Sequence, residues 1–494
     1  MNIETLGIGA LVVYLLLLLL LSEIARRARR DATPSDHFLA ARELGTFVLF
    51  LTLYATAYSG NSLLGYPGRA YASGFSFIMA TGFMMAIIVV FHALVPRLRP
   101  LAVAHGFVTP GDYLRVRFAG ERGGDALRFA VGALMTIALA NFLLAQLKAM
   151  GYVTAVVTGD AIPYHWGVVG LAALILFYET RGGMRAVAWT DAAQGILMLA
   201  GLAALLAWLL GDAGGLASIT RDVARVRPEA VAVPDGATRV NWFSTIALLG
   251  LGSVLYPQAI QRVYAARTGE ALRRSFALMT FMPLATTLVV TLIGVAAIPR
   301  VAVGTGVASD EVMPLLLSHW AQSGPAATVG AVLVFIGALA AIMSTADSCL
   351  LSLGSLAAGD LLGRSTRHVA TAKLGKWLAA LILLAMVPIA LRRELTLWRL
   401  IELKMELLVQ CVPAFLLALR WPRLRADATF AGLTLGTLFA VGMTLAGVPR
   451  LSGVHIGIVG LVLNTTIAVL GSWRPVSATI GYAAPPQPDP EARA

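Results

Sequence analysis

About thirteen apolar runs, each near the ~20 residues that a bilayer core requires, divide this chain. They lie at roughly 5–25, 45–66, 73–96, 126–150, 163–180, 189–211, 243–263, 274–298, 326–351, 370–391, 397–419, 427–447 and 453–473. No soluble fold hides so much apolar surface: 58% of the residues are hydrophobic and 13% charged, against about half and a quarter in a soluble domain. In lipid a helix satisfies its own backbone, so the chain reads as an all-α polytopic membrane protein. The net charge of +12 would suit a nucleic-acid binder. The basic residues instead cluster in short loops between the runs, which is the pattern that orients membrane proteins. Cys349 and Cys411 sit inside apolar runs and read as packed thiols.

The loops expected inside carry Arg26 to Arg30, then Arg97, Arg99, Arg115, Arg117 and Arg122, then Arg181 and Arg185. They continue with Arg262, Arg267, Arg273 and Arg274, then Arg364, Arg367 and Lys373, then Arg420, Arg423 and Arg425. The segment with Arg392, Arg393 and Arg399 breaks the pattern. On balance the N-terminus is expected outside and the C-terminus in the cytoplasm of a cell bounded by this inner (plasma) membrane. The first run, residues 6–21, reads as a retained helix and not a cleaved signal. The Pro-rich tail after residue 483 reads as disordered.

Two runs look broken. The second contains Ala57-Tyr58-Ser59-Gly60-Asn61-Ser62 and then Gly65-Tyr66-Pro67-Gly68; the seventh contains Gly250, Gly252, Ser253 and Tyr256-Pro257. Paired interruptions at corresponding places in two halves point to a transport site at mid-membrane. They lie five runs apart, which suggests two five-helix repeats. The organisation expected is an extra helix over 1–30, repeats over 45–211 and 243–420, two final helices over 427–473, and a tail over 474–494.

The ninth run ends in Ala341-Ile342-Met343-Ser344-Thr345-Ala346-Asp347-Ser348-Cys349. Three hydroxyls and a carboxylate at such depth are costly unless they face a partner or a cavity. Oxygen donors of this kind replace the hydration shell of a hard cation, so the stretch reads as a sodium site. The competing expectation is that Ser344 and Thr345 merely bond back to the preceding turn.

Together these blocks resemble the sodium/solute symporter family, which includes proline, pantothenate, sialic acid and sodium/glucose carriers. The blocks are Ala55-Thr56-Ala57-Tyr58-Ser59 with Gly65-Tyr66-Pro67-Gly68, Tyr178 to Asp191 through Gly182-Gly183, Pro257 to Gln261-Arg262 with Ala265-Ala266-Arg267, and Ala341 to Ser348. The resemblance implies a LeuT-like core of five plus five inverted-repeat helices that gives alternating access. It implies that Na+ is bound by the carbonyls of Ala55, Tyr58 and Ala341 and by the side chains of Ser344 and Thr345. Some relatives hold a second sodium, for which Asp191 and Ser348 are the candidates. Asp347 pairs either with that ion or with an arginine such as Arg185. Where other relatives carry an acid beside the ion, this chain has Ala57.

The solute is expected beside the ion, near Asn61, Ser62, Ser76, Gln146, Ser253, Tyr256, Gln258 and Glu406. Glu402, Glu406 and Gln410 are spaced by four and share one helix face. Lys148 either meets a substrate carboxylate or a neighbouring Glu, or snorkels to the outer interface, and Glu402 is expected either to be solvated or to pair with Lys404. Tyr58, Tyr66, Phe77 and Tyr256 serve either as a gate or as packing. The function so implied is sodium-driven uptake of a small polar organic solute, such as an amino acid, an organic acid or a vitamin-like compound. Rival readings are a proton-driven carrier using Glu406 or Asp191, and a transporter-like sensor. The histidines are dispersed and form no nucleophile–base cluster, which disfavours an enzyme.

Overall fold

A computed structural model describes residues 3–27, 38–179, 184–301, 308–363 and 369–473. The expected tail over 474–494, the Gly182-Gly183 turn, several loop arginines and the Arg185 side chain lie outside these. The chain is helical almost throughout: α1 (Ile3–Arg27), α2 (Thr46–Ala57), α3 (Tyr66–Ser73), α4 (Met79–His105), α5 (Pro110–Arg117), α6 (Gly124–Val157) and α7 (Tyr164–Glu179) come first. Next are α8 (Met184–Ala213), α9 (Leu216–Val226), α10 (Gly236–Ser253), α11 (Pro257–Ala265), α12 (Gly269–Met279) and α13 (Val289–Ala296). The last are α14 (Val312–Ala321), α15 (Pro325–Leu356), α16 (Val369–Ala390), α17 (Leu397–Leu408), α18 (Ala426–Leu445) and α19 (Ile456–Ser472). A small antiparallel hairpin pairs Arg450 with His455 and Leu451 with Val454.

Helix occupies each of the thirteen expected ranges. Among the described residues seven helices are long and apolar enough to cross a bilayer alone, or eight if the bent pair α10–α11 is one span. Segments of α1, α2, α7 and α19 are apolar but shorter. Among the described residues four helices were not anticipated: α3, α5, α9 and α14, which lie in connections between the expected ranges. The start of α5 is explained by a capping box in which Thr109 and Asp112 satisfy each other's end of the first turn, with Pro110 at the first helical position.

The innermost helix is α15. Every residue from 334 to 356 is buried, and the helix touches α1, α2, α6, α8, α14 and α16. Small residues allow these approaches, as is usual between helices in lipid. Gly337 packs on the backbone of Met198, and Gly354 and Gly375 face each other's carbonyls.

Both expected breaks are present. Helix α2 stops at Ala57; Tyr58 is extended (φ −108°, ψ 92°), and the chain re-enters helix through a π-type turn, Asn61–Gly65, that leads into α3. Helices α10 and α11 meet at 50°, with Tyr256 non-helical and Pro257 opening α11. The eleventh span is irregular too, passing from α17 through a 3-10 turn, Val409–Cys411, to a π-type turn, Pro413–Leu417, where Pro413 lacks an N–H for the ladder.

The re-entrant half-helix α3 is clamped against α13. A Cβ at Gly294 would lie 2.3 Å from the carbonyl oxygen of Pro67, so any side chain there must push the two helices apart. Gly294→Ala is expected to destabilise the protein by about 1–3 kcal/mol, read as a lower thermal midpoint in detergent. Gly442→Ala is the control, because nothing lies near that position, and its midpoint should not fall; alanine for a helix-interior glycine favours the helix.

Candidate functional site

The site begins where α2 ends. The last bond back into α2 is from Tyr58 N–H to Tyr54 O (3.0 Å). The Gly60 N–H then donates to Gln146 Oε1 (3.1 Å), and the Asn61 N–H to Ser59 Oγ (3.2 Å). Side chains thus satisfy the amides that open the second half-helix, and the terminal carbonyls of α2 are released from the ladder. Gly60 is wedged here: a Cβ would lie 2.6 Å from Ile342 Cγ1 and 3.1 Å from Ala149 Cβ. The break therefore rests directly on α15 at Ile342.

On the α15 side the two hydroxyls do not bond back to their own helix. Ser344 Oγ donates to Asp191 Oδ1 (2.5 Å), which fixes its proton and leaves its lone pairs free. Thr345 Oγ1 is buried with no hydrogen-bond partner among the described residues. A buried hydroxyl without a partner is rare enough to require an explanation. A cation ligated by oxygen supplies one, since neutral carbonyls and hydroxyls are the donor set a hard monovalent ion accepts.

Behind the hydroxyls lies a buried charge pair. Arg262 Nη2 is 2.8 Å from Asp191 Oδ2, and both side chains are fully buried. The guanidinium also donates to Ser348 Oγ (2.6 Å), Thr52 Oγ1 (2.9 Å) and Gln258 O (3.1 Å), while Thr52 Oγ1 donates to Asp191. One network thus joins α2, α8, α11 and α15. Two expectations change here. Arg262 is not a loop arginine, because the break lets the span continue as α11 and carries the side chain into the interior. Asp191 and Ser348, the candidates for a second sodium, are already bridged by this arginine's positive charge. Asp347 is buried with neither carboxylate oxygen hydrogen-bonded among the described residues.

A cavity lies beside the break, with about 840 Å³ of space not filled by atoms, part of it open to the medium. Asn61, Ser62, Ser253 and Tyr256 line it, together with Thr56, Phe142 and Lys404. Gln258 is buried at the start of α11 with both amide atoms unpartnered. Other expected solute residues are placed elsewhere. Ser76 accepts the Trp242 indole N–H (3.2 Å). Gln146 holds the break through Gly60. Glu406 turns away: Thr444 donates to it (3.2 Å) and His455 is 3.7 Å from it. Gln410 donates to Gly457 O (2.8 Å) on the same side, so the shared face of 402, 406 and 410 packs on the final helices. Glu402 pairs with Arg399 (3.0 Å) and Arg450 (2.5 Å), not with Lys404. Lys148 donates to Arg392 O (2.6 Å), reaching an interhelical loop instead of the cavity.

An aromatic cluster adjoins the cavity at its Tyr66 end. Tyr66, Phe77, Phe83 and Trp398 meet mostly edge to face at 5.2–6.3 Å, the arrangement their ring quadrupoles favour. Trp398 was not singled out from the sequence; a lone indole in an apolar run carries no signal of its partners.

The model of the sodium:solute symporter family matches residues 37–436. The osmoregulated proline transporter OpuE of Bacillus subtilis is 27% identical over 97% of this chain and 97% of its own length. A sodium/pantothenate symporter of Escherichia coli is 28% identical over 55% of this chain and 56% of its own. Among solved structures, a Na+-coupled sialic acid symporter in a substrate-bound outward-open state superposes with a TM-score of 0.76 at 18% identity, covering 94% of this chain and 97% of that one. A nucleobase-cation-symport-1 family transporter, Mhp1, superposes with a TM-score of 0.56 at 18% identity, covering 88% and 94%. These likenesses establish the LeuT-like fold.

Removing one partner of a buried ion pair leaves the other charge uncompensated, at about 3–5 kcal/mol. Asp191→Asn and Arg262→Gln are each expected to lower the thermal midpoint strongly. The double variant should lose less than the sum of the two, which a double-mutant cycle measures.

Proposed function

This chain belongs to the sodium:solute symporter family, and from that premise we propose that its sodium sits where the broken second span meets α15. The protein couples sodium to solute uptake across a membrane, in a family of transporters and not enzymes. The ligands we propose are the carbonyls of Ala55, Tyr58 and Ala341 and the hydroxyls of Ser344 and Thr345. The observation that carries this is Thr345 Oγ1, buried and unpartnered among the described residues, on the helix that the break contacts through Gly60 and Ile342. The carboxylate of Asp191, held by Arg262, orients Ser344 from behind the ion.

The solute site we propose is the adjacent cavity, with Asn61, Ser62, Ser253 and Tyr256 in contact and Gln258 next to it. Ser76, Gln146 and Glu406 are left out on their placement. We assign spans 2–6 and 7–11 to two inverted repeats over 45–211 and 243–420, flanked by the helix of 1–30, the helices of 427–473 and a cytoplasmic tail. We further propose that this multi-pass protein lies in the plasma membrane with its N-terminus outside, an orientation that the positive loops support.

Coupling follows from linkage. An ion that ties α2 to α15 orders the backbone of residues 58–62, which also borders the solute cavity. Sodium then raises solute affinity, and the solute raises sodium affinity by the same factor. A tenfold sodium gradient supplies about 1.4 kcal/mol, and one charge crossing 100 mV adds about 2.3 kcal/mol.

Thr345→Ala and Ser344→Ala are expected to reach the membrane but to need at least tenfold more sodium for half-maximal uptake in proteoliposomes. Unchanged sodium dependence in both rejects the site. Sodium-free uptake that follows pH selects a proton-driven carrier.

A further inference from the structure

Lys404 brings a cationic side chain to the cavity wall. It lies on α17, is 1% exposed, and lines the cavity. Its ammonium stands 3.3 Å from the centroid of the Phe142 ring and 5.5 Å from that of Tyr256. The two rings stack on each other at 5.1 Å. The residue has no carboxylate or hydrogen-bond acceptor among the described residues.

The geometry of α17 explains why. At 100° per residue, position 404 lies about 200° from both 402 and 406. The two acids of the helix therefore face away from the lysine. Glu402 is engaged by Arg399 and Arg450, and Glu406 by Thr444 and His455. The ammonium is left in a mostly apolar chamber with Phe83, Met84, Ile401 and Met405. A buried charge with no counter-charge is costly, and ring faces alone compensate it only in part.

We propose that the missing counter-charge belongs to the solute: Lys404 pairs with a carboxylate, and the apolar wall receives the hydrocarbon or aromatic body of a monocarboxylic acid. Asn61, buried with both amide atoms unpartnered, lines the same cavity and supplies one further donor and acceptor. Lys404 is then the residue that sets charge specificity. This rests on the reading of the cavity as the solute site.

The test is a thermal-shift titration of the purified full chain in sodium and in potassium. The probes are phenylacetate and a graded series of C4 to C8 straight and branched carboxylates, each paired with its neutral amide. At least one acid should raise the midpoint in sodium, and its amide should not. Lys404→Met should weaken that acid at least tenfold, and Lys404→Arg should retain it. Without solute, Lys404→Met should melt higher than the wild type, because it removes an uncompensated charge, and its sodium-induced shift should persist. A lower midpoint for Lys404→Met with acid affinity intact, an amide that shifts as well as its acid, or no response across the series overturns the proposal. Loss of the sodium shift itself in the wild type would instead fault the ion site.

Discussion

The interior of this protein is organised around one ion pair that has no access to water. Asp191 and Arg262 are both fully buried, and neither charge is stable there without the other. Their remaining hydrogen-bonding capacity is taken up by Thr52, Gln258, Ser344 and Ser348. Those residues come from three helices and Asp191 itself from a fourth, so the pair fixes how α2, α8, α11 and α15 sit relative to one another. It also determines what Ser344 can do: a hydroxyl whose proton is committed to a carboxylate presents only lone pairs elsewhere. The half-helix α11 is held further by Gln261, which bonds Ser352 and Ser355 on α15.

That frame supports the break in the second span. A discontinuous helix exposes carbonyls at one end and amides at the other. Here the amides are answered by Gln146 and Ser59, and Gly60 of the break packs on Ile342 of the helix that carries Thr345. On our proposal a cation completes the carbonyls at the end of α2 and the hydroxyls of Ser344 and Thr345. The rigid side of the site is α15, buried along its length; the deformable side is residues 58–62. An ion bridging the two converts sodium concentration into order at the wall of the solute cavity, which is what coupling requires.

Much of this was legible in the sequence. Apolar runs of spanning length fixed the class, and Gly, hydroxyl and Pro together marked both breaks, because few other residue combinations interrupt a helix inside a membrane. The hydroxyls of 344, 345 and 348 stood out against their apolar neighbours for the same reason. What stayed hidden was direction. Arg262 reads as a loop arginine until the bend at Tyr256 is known to carry the chain onward as α11. The spacing of 402, 406 and 410 shows a common face but not what covers it, and α18 and α19 cover it. Helices α9 and α14 lie in connections whose sequences carry no spanning pattern. The aromatic cluster of Tyr66, Phe77, Phe83 and Trp398 comes from four separate elements that no local pattern links.

The most direct test of the central claim is hydrogen–deuterium exchange of the detergent-purified protein in sodium against potassium at equal ionic strength. If an ion clasps the break to α15, amides of residues 58–63 exchange more slowly in sodium, together with those around 341–345, while the distant α18–α19 pair is unaffected. Identical exchange in the two salts at both segments would contradict the account.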